Sequence, residues 1–390
     1  MDFTIPEELR AVQETVRRFV QRELVPIEQD YPDGMPYDEE LAWRKRAREL
    51  GLFMMHVPES YGGSGINTLG MALVYQETAQ TTLNADFFLG IDQPNPVALM
   101  SHGSEEVQRR YMMPAVRGER YWGFAMSEPG AGSDAQAITT SAVREGEDWV
   151  LSGTKLWISR MAVADFAVVL AVTDKAKRGR GGISIFLVDR DNPGMRVSRV
   201  IRTMGEELHD KRGPTELEFV DCRVPGWGLI GQVGEGFRLA QQRLGAQRIT
   251  IAAQCLGGAQ RALEMAIAYT QQRRTWGEPV ANRQGIQWMF AQAAMDIHAA
   301  RLMTYHCATR WDAGQDVRLE ASMAKLAASE MVSRVVDMAM QVHGGMGYAK
   351  DLPLERIYRR ARLQRIVEGA SEIHRNVIGK LLVGGRRPVI

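Results

Sequence analysis

The spacing of apolar residues changes twice along the chain, and those changes constrain the fold more than any single motif. From Glu7 to about Asp30, apolar residues stand three and four apart (Leu9, Val12, Val16, Phe19, Val20), the period of a helix with one buried face. Pro6 stands just ahead, where its fixed φ suits a helix start. Further helices are predicted from Asp38 to Leu50, stopped by Gly51, from about Thr68 to Ala79, and from Glu105 with Ser104 as N-cap. Near Trp122 the period shortens. Trp149-Val-Leu, Lys155–Ser159, Phe166–Val172, Ile183–Val188 and Glu216–Val220 read as strands separated by Gly, Asp, Asn and Pro, which predicts an antiparallel sheet. The basic Lys175–Arg180 run is expected at a solvated hairpin tip. After a linker from Val224 to Gly236, helical spacing returns in four long segments: about Gly236–Arg273, Gln284–Ala313, Arg318–Val342 and Leu354–Leu382, the last interrupted near Gly369. Four such segments predict a helical bundle. The fold class is therefore α+β, with a helical domain over 1–121, a β domain over 122–230 and a helical bundle over 231–390.

Composition narrows the function. A formal net charge of +1 gives no electrostatic case for nucleic acid or an anionic membrane. The three cysteines (Cys222, Cys255, Cys307) are scattered and unpaired in spacing, which fits a reducing compartment rather than a disulfide framework. The N-terminus lacks the basic-then-apolar order of a signal peptide, and no run of about 18 apolar residues occurs, so a cytoplasmic protein is expected. HExxH, GxSxG, Walker A and strand-linked GxGxxG motifs are missing. His298 and His306, eight apart with no acidic residue in step, are expected at the surface or core edge, and no metal is expected.

Five features carry possible chemistry. In Tyr121–Asp134 an apolar run ends at Ser127-Glu-Pro129 and passes into Gly130-Ala-Gly132-Ser133, a turn whose hydroxyls and N–H groups can hydrogen-bond a flat polar ligand. In Lys155-Leu-Trp157-Ile158-Ser159, alternation puts the Trp157 ring and the Ser159 hydroxyl on one face. Arg273-Arg-Thr275-Trp276 offers an arginine that can clamp a diphosphate. Gln341-Val-His-Gly344-Gly345 lets backbone approach a phosphate or a ring. Glu368, between Val367 and Gly369, is a carboxylate in a semi-apolar sequence setting, suited to general-base work. Each has a plain alternative: a surface turn, a core tryptophan, a helix cap or a solvated charge.

Taken together and in this order, the five motifs closely resemble the acyl-CoA dehydrogenase family. Val57-Pro-Glu-Ser-Tyr-Gly-Gly-Ser-Gly65 and Asp221-Cys-Arg-Val-Pro225 extend the similarity over essentially the whole chain. The resemblance implies non-covalent FAD in a crevice between the β domain and the bundle. It places Phe124, Met126, Ser127, Gly132 and Ser133 along the flavin, with Trp157, Ile158 and Ser159 against the ring. It assigns Arg273, Thr275, Trp276 and Gln284 to the cofactor of a neighbouring subunit, and Gln341, Gly344 and Gly345 to its adenosine-diphosphate half. Ala370 and Glu372 join the cofactor contacts. A homo-oligomer, dimer or tetramer, follows. Glu368 falls on the family's catalytic base, while Gln247, where some relatives place theirs, cannot ionise. Arg248 is expected beside the base, with Ser133 and Gly369 along the thioester. The expected reaction converts an acyl-CoA to the trans-2-enoyl-CoA and passes electrons to an electron-transfer flavoprotein. An acyl-CoA oxidase, an enoyl-CoA reductase or a non-catalytic flavin-binding scaffold are the alternatives. Ser159 for the usual Thr, Gly245 for a frequent Asp, Ala370 for a hydroxyl residue, the polar Asp92-Gln-Pro-Asn-Pro96 and a longer tract between Gly205 and Pro214 depart from the family pattern. The acyl group therefore stays open.

Overall fold

The computed structural model describes residues 4–205 and 213–388. The chain enters through α1 (Glu7–Phe19), with Glu7 and Glu8 in the first turn and Arg17 and Arg18 in the last, an arrangement that complements the helix dipole. Helical backbone continues to Asp30, as the apolar spacing predicts, but widens into a π turn at Val20–Leu24 and tightens to 3₁₀ at Val25–Asp30. Helix α2 (Tyr37–Glu49) ends before Gly51, whose φ is +70°. Helix α3 (Thr68–Thr78) is buried along almost all of its length. Its first two N–H groups bond the Asp312 carboxylate at 2.8 and 2.9 Å, and Asn67 caps the next turn. Short helices α4 (Ala85–Phe88), α5 (Pro96–Met100), α6 (Glu105–Val107, capped by Ser104) and α7 (Met113–Val116) lead to the sheet.

The sheet contains β1 (Trp122–Ala125), β2 (Ser141–Glu145), β3 (Asp148–Ser159), β4 (Phe166–Val172), β5 (Ile183–Asp189), β6 (Met195–Val200), β7 (Pro214–Val224) and β8 (Leu229–Ile230). Its order is β6-β7-β3-β2-β4-β5-β8, with β1 also on β4. The sheet is mixed, which corrects the antiparallel expectation. β1 runs parallel to β4 in the register Trp122↔Phe166, and β2 meets β4 in parallel at Ser141↔Val172. Alternation reports which face a residue takes but not the direction of its neighbour. Strand β4 is buried at every position, as its unbroken apolar run requires of a strand covered on both faces. The Lys175–Arg180 run forms the turn between β4 and β5. Strands β2 and β6 are too charged to stand out in the sequence, and β8 lies within the stretch read as a linker. The longer tract before Pro214 lies mostly outside the described residues.

The remaining chain is helical: α8 (Gly236–Gln272), α9 (Gln284–Asp312), α10 (Arg318–His343), α11 (Gly345–Tyr348), α12 (Leu354–Gln364) and α13 (Ser371–Val383). A small hairpin, β9 (Arg274–Thr275) with β10 (Glu278–Pro279), separates α8 from α9. Helices α8 and α10 pack on one another, and both bury small residues, among them Ala252, Ala259 and Ala266 on α8 and Ala321, Ala328 and Ala339 on α10. Helix α3 packs on α8 and α9, joining the first helices to the bundle. Among the described residues no helix is long and apolar enough to cross a membrane. His298 is exposed and His306 half-buried.

Candidate active site

Where β1 ends, the chain turns into the loop from Met126 to Ser133. Glu128, an ordinary turn residue by sequence, is the buried anchor of that loop. Its carboxylate accepts from Lys155 Nζ at 2.8 Å, from the Thr139 N–H and hydroxyl at 2.6 and 2.8 Å, and from the Thr140 N–H at 2.9 Å. Burial opposes its charge, but Lys155 and these donors outweigh it and hold the carboxyl near pKa 2. Lys155 is fully buried, drawn down to about 8 by burial against the pull of Glu128, and also donates to Met126 O at 3.0 Å. Beyond this anchor the rim is open. Gly132 and Ser133 are exposed, and a Cβ at Gly130 or Gly132 would touch nothing.

The Ser127 carbonyl accepts from Leu156 N at 2.9 Å, fastening the loop to β3 just before Trp157. There the pairing of β3 with β7 slips between Leu156 and Ile158, and Trp157 takes a φ of +66°. A bulky residue in the left-handed region costs on the order of 1–3 kcal/mol and persists where its surroundings impose it. Ile158 is buried and pinned through its carbonyl by Thr215 Oγ1 at 2.8 Å. Trp157 and Ser159 both stay exposed, Trp157 at 55%. The two therefore do share an open side, across a bulge rather than along a regular strand.

Glu368 occupies the break between α12 and α13, with φ +51°, followed by Gly369 at +100°. Its sequence neighbours are apolar, but its spatial neighbours are cations. Arg243 Nη2 of α8 lies 3.5 Å from Glu368 Oε1, and the same guanidinium stacks 4.1 Å over the Phe124 ring. Arg248, about a turn and a half further along α8, also feels the Glu368 charge. Beneath the turn, fully buried Lys325 of α10 donates from Nζ to Gly369 O at 2.8 Å. Burial lowers Lys325 to about 8. His374, also fully buried, is driven down to about 3 by burial and then by Lys325 and Arg248. A Cβ on Gly369 would stand 3.0 Å from its Nε2. Ala370 is half-buried at the α13 N-cap, whereas Glu372 is exposed and paired with Arg375. Within the turn, Ile366 and Val367 N–H bond Leu363 O, and Ser371 N–H bonds Arg365 O. The Glu368 N–H has no acceptor among the described residues.

A cavity of about 410 Å³ opens beside Ser159, between α3, α4, α8 and α12. Asp86, Asp92, Arg160, Gln254, Cys255 and Gln364 line it. Asp92 pairs with Arg160 at 2.9 Å and bonds the Tyr121 hydroxyl, and Gln254 donates to Asp86 at 2.6 Å. Of the polar stretch from Asp92 to Pro96, only Asp92 reaches this lining; Asn95 caps α5 instead.

The other expected residues gather elsewhere. Arg273 N–H bonds Tyr269 O at 2.8 Å, and the Tyr269 ring stacks on His343 with centroids 4.3 Å apart. That stack joins Arg273, Thr275, Trp276 and Gln284 to Gln341, Gly344 and Gly345. Arg283 holds Thr275 at 2.7 Å and lies over Trp276, which is 90% exposed. Arg273 is about 38 Å along α8 from Arg248, taking 1.5 Å per residue. The structure thus brings Phe124, Trp157, Ser159, Arg248 and Glu368 to one pole and the second set to another. Sequence reading missed Arg243, Lys325, His374 and the Glu128–Lys155 pair. Only Lys325 carried a signal, as a lone charge among the buried alanines of α10.

Family models match in three consecutive blocks: "Acyl-CoA dehydrogenase, N-terminal domain" over residues 6–119, the "middle domain" over 123–222 and the "C-terminal domain" over 234–383. The mitochondrial short-chain specific acyl-CoA dehydrogenase of Mus musculus is 38% identical across 97% of this chain and 91% of its own. Acryloyl-CoA reductase (NADH) of Anaerotignum propionicum is 36% identical across 97% and 95%. The solved complex of glutaryl-coenzyme A dehydrogenase with glutaryl-CoA superposes with a TM-score of 0.89 at 34% identity, covering 99% of this chain and 98% of that one.

Proposed function

The chain belongs to the acyl-CoA dehydrogenase family, and from that premise we propose that Glu368 is the base in the α,β-dehydrogenation of an acyl-CoA thioester, with electrons passing on to an electron-transfer flavoprotein. Members of the family are FAD-dependent, and the residues present fit that cofactor: an exposed indole held on a strained bulge, a hydroxyl beside it, and an open glycine rim. FAD, when bound, supplies the acceptor for the β-hydrogen and its electron pair.

One observation carries the reading. The Arg243 guanidinium spans Phe124 of the flavin loop and the Glu368 carboxylate, at 4.1 and 3.5 Å, so the proposed base and the proposed cofactor wall face one space although they lie far apart in sequence. Removing a weakly acidic α-proton needs a carboxylate held on one side of Cα and donors on the thioester oxygen. Lys325 holds the turn that carries Glu368, the unpaired Glu368 N–H supplies one donor, and Arg248 compensates the carboxylate. Ser133 and Gly369 are assigned to the thioester arm. Glu368→Gln should slow anaerobic bleaching of the flavin by an acyl-CoA panel by about 10²–10⁴-fold. Unchanged bleaching would remove Glu368 from the role.

We assign Arg273, Thr275, Trp276, Gln284, Gln341, Gly344 and Gly345 to the cofactor of a second copy, since their own chain holds them far from Glu368. Trp288, Met295 and Leu302 support a homo-oligomer: all are exposed and stand seven apart on α9, an apolar stripe seldom left to water. Sedimentation at graded concentrations tests this. The acryloyl-CoA reductase relative favours a second reading, reduction of an enoyl thioester, which NADH-dependent loss of an enoyl-CoA would reveal.

A further inference from the structure

Glu368 is outnumbered. Arg243, Arg248 and Lys325 all face it. His374, held down to about 3, and the Cys255 thiol, pushed up to about 12, are neutral by burial. The Glu330 carboxylate, which also acts on Lys325, is taken up by Arg365 and Arg375 at 3.2 and 3.4 Å and by the Ser371 hydroxyl at 2.7 Å. Buried charge is costly unless it is paired and hydrogen-bonded. Lys325 spends its ammonium on the Gly369 carbonyl. The two guanidiniums are left with one carboxylate between them, and that carboxylate lies 3.5 Å from Arg243, beyond the 2.7–2.9 Å of a charge-assisted bond. Arg243 Nε and Arg248 Nε are both buried with no partner among the described residues. The neighbouring cavity does not reverse this balance, since Asp86 and Asp92 in its lining face Arg160, Arg356, Arg359 and Arg360.

Resting on the dehydrogenase reading, we infer that the acyl group taken by this chain bears a second anionic group, a carboxylate, whose counterion is Arg243 with Arg248 beside it. Arg243 suits that task. Its guanidinium plane is fixed by the Phe124 ring, and a fixed planar fork meets a carboxylate through two parallel bonds. Its side chain is 14% exposed, so the pair would form largely out of water. A rival counterion is negative charge on the reduced cofactor, in which case Arg243 would act equally on every acyl-CoA.

The test compares glutaryl-CoA with pentanoyl-CoA, which puts a methyl group where the first has its carboxylate. Succinyl/butyryl and adipoyl/hexanoyl pairs bracket the reach. Binding is read by calorimetry on Glu368→Gln holoenzyme and kcat/KM on the native enzyme, each with and without Arg243→Met. The native enzyme should prefer the dicarboxylic member of at least one pair, and Arg243→Met should lower that preference at least about 30-fold, with Arg243→Lys restoring part of it. The inference is overturned if the native enzyme favours the monocarboxylic member throughout, or if Arg243→Met penalises both members alike. Failure of every acyl-CoA to bind or bleach would overturn the dehydrogenase reading and this inference with it.

Discussion

The two poles of α8 are built in opposite ways. At the Glu368 pole, cations are buried, the backbone is strained at Trp157 and Glu368, and hydrogen bonds from α10 and β3 fasten the loops. At the Arg273 pole most functional candidates are exposed, Trp276 also takes a left-handed φ of +49°, and the main internal ties are one ring stack and the Arg283 contacts. A site that moves a proton must fix geometry before the ligand arrives, which makes buried charges worth their cost. A site that another copy completes must stay open until that copy docks. The contrast predicts that substitutions at the first pole register as stability and those at the second as assembly.

The largest effect should come from Lys155→Met. It leaves Glu128 buried without its cation, and breaking such a pair costs about 3–5 kcal/mol. Urea denaturation should show that loss together with release of FAD, and a loss below about 1 kcal/mol would mean that water replaces the ammonium. Acid comes next. His374 and His56 titrate near 3 and 4 in the folded chain, against 6.5 when unfolded. The unfolded chain alone takes up their protons as pH falls from 6.5 towards 4, so stability drops by about 1.4 kcal/mol per pH unit for each fully neutral group. Denaturation midpoints at pH 7, 6 and 5 check the slope, and His374→Gln should flatten it. Lys325, lowered from 10.5 to about 8, acts with the same sign in an alkaline window: its penalty is full below pH 8 and relieved as pH rises towards 10.5. Trp157→Gly should stabilise the apoprotein by up to about 1 kcal/mol through relief of the left-handed backbone, while weakening FAD retention. Arg273→Ala should be smallest, within about 0.5 kcal/mol in stability, yet should make FAD retention depend on protein concentration.

Much of this was legible in the sequence because period and punctuation are local. The change from helical to strand spacing, the loop after Phe124 and the break at Gly369 all follow from residues a few positions apart. What escaped depends on contacts across the fold. Glu368 reads as semi-apolar beside Ile366 and Val367, yet Ile366 is 55% exposed and the groups that meet the carboxylate come from α8 and α10. Arg243 looks like any charge on a long helix until Phe124 and Glu368 arrive on either side of it. The parallel neighbours β1 and β4 are separated by β2 and β3 in the chain, and no turn residue records such a pairing.

The Asp312 carboxylate on the first N–H groups of α3 has a mechanical consequence. One end of α3 is clamped to α9, whose outer face carries the Trp288–Leu302 stripe, and at its other end Thr78 lines the cavity. A three-turn helix of about 16 Å is a stiff strut at this length. A second copy pressing on α9 would therefore push on the floor of this cavity.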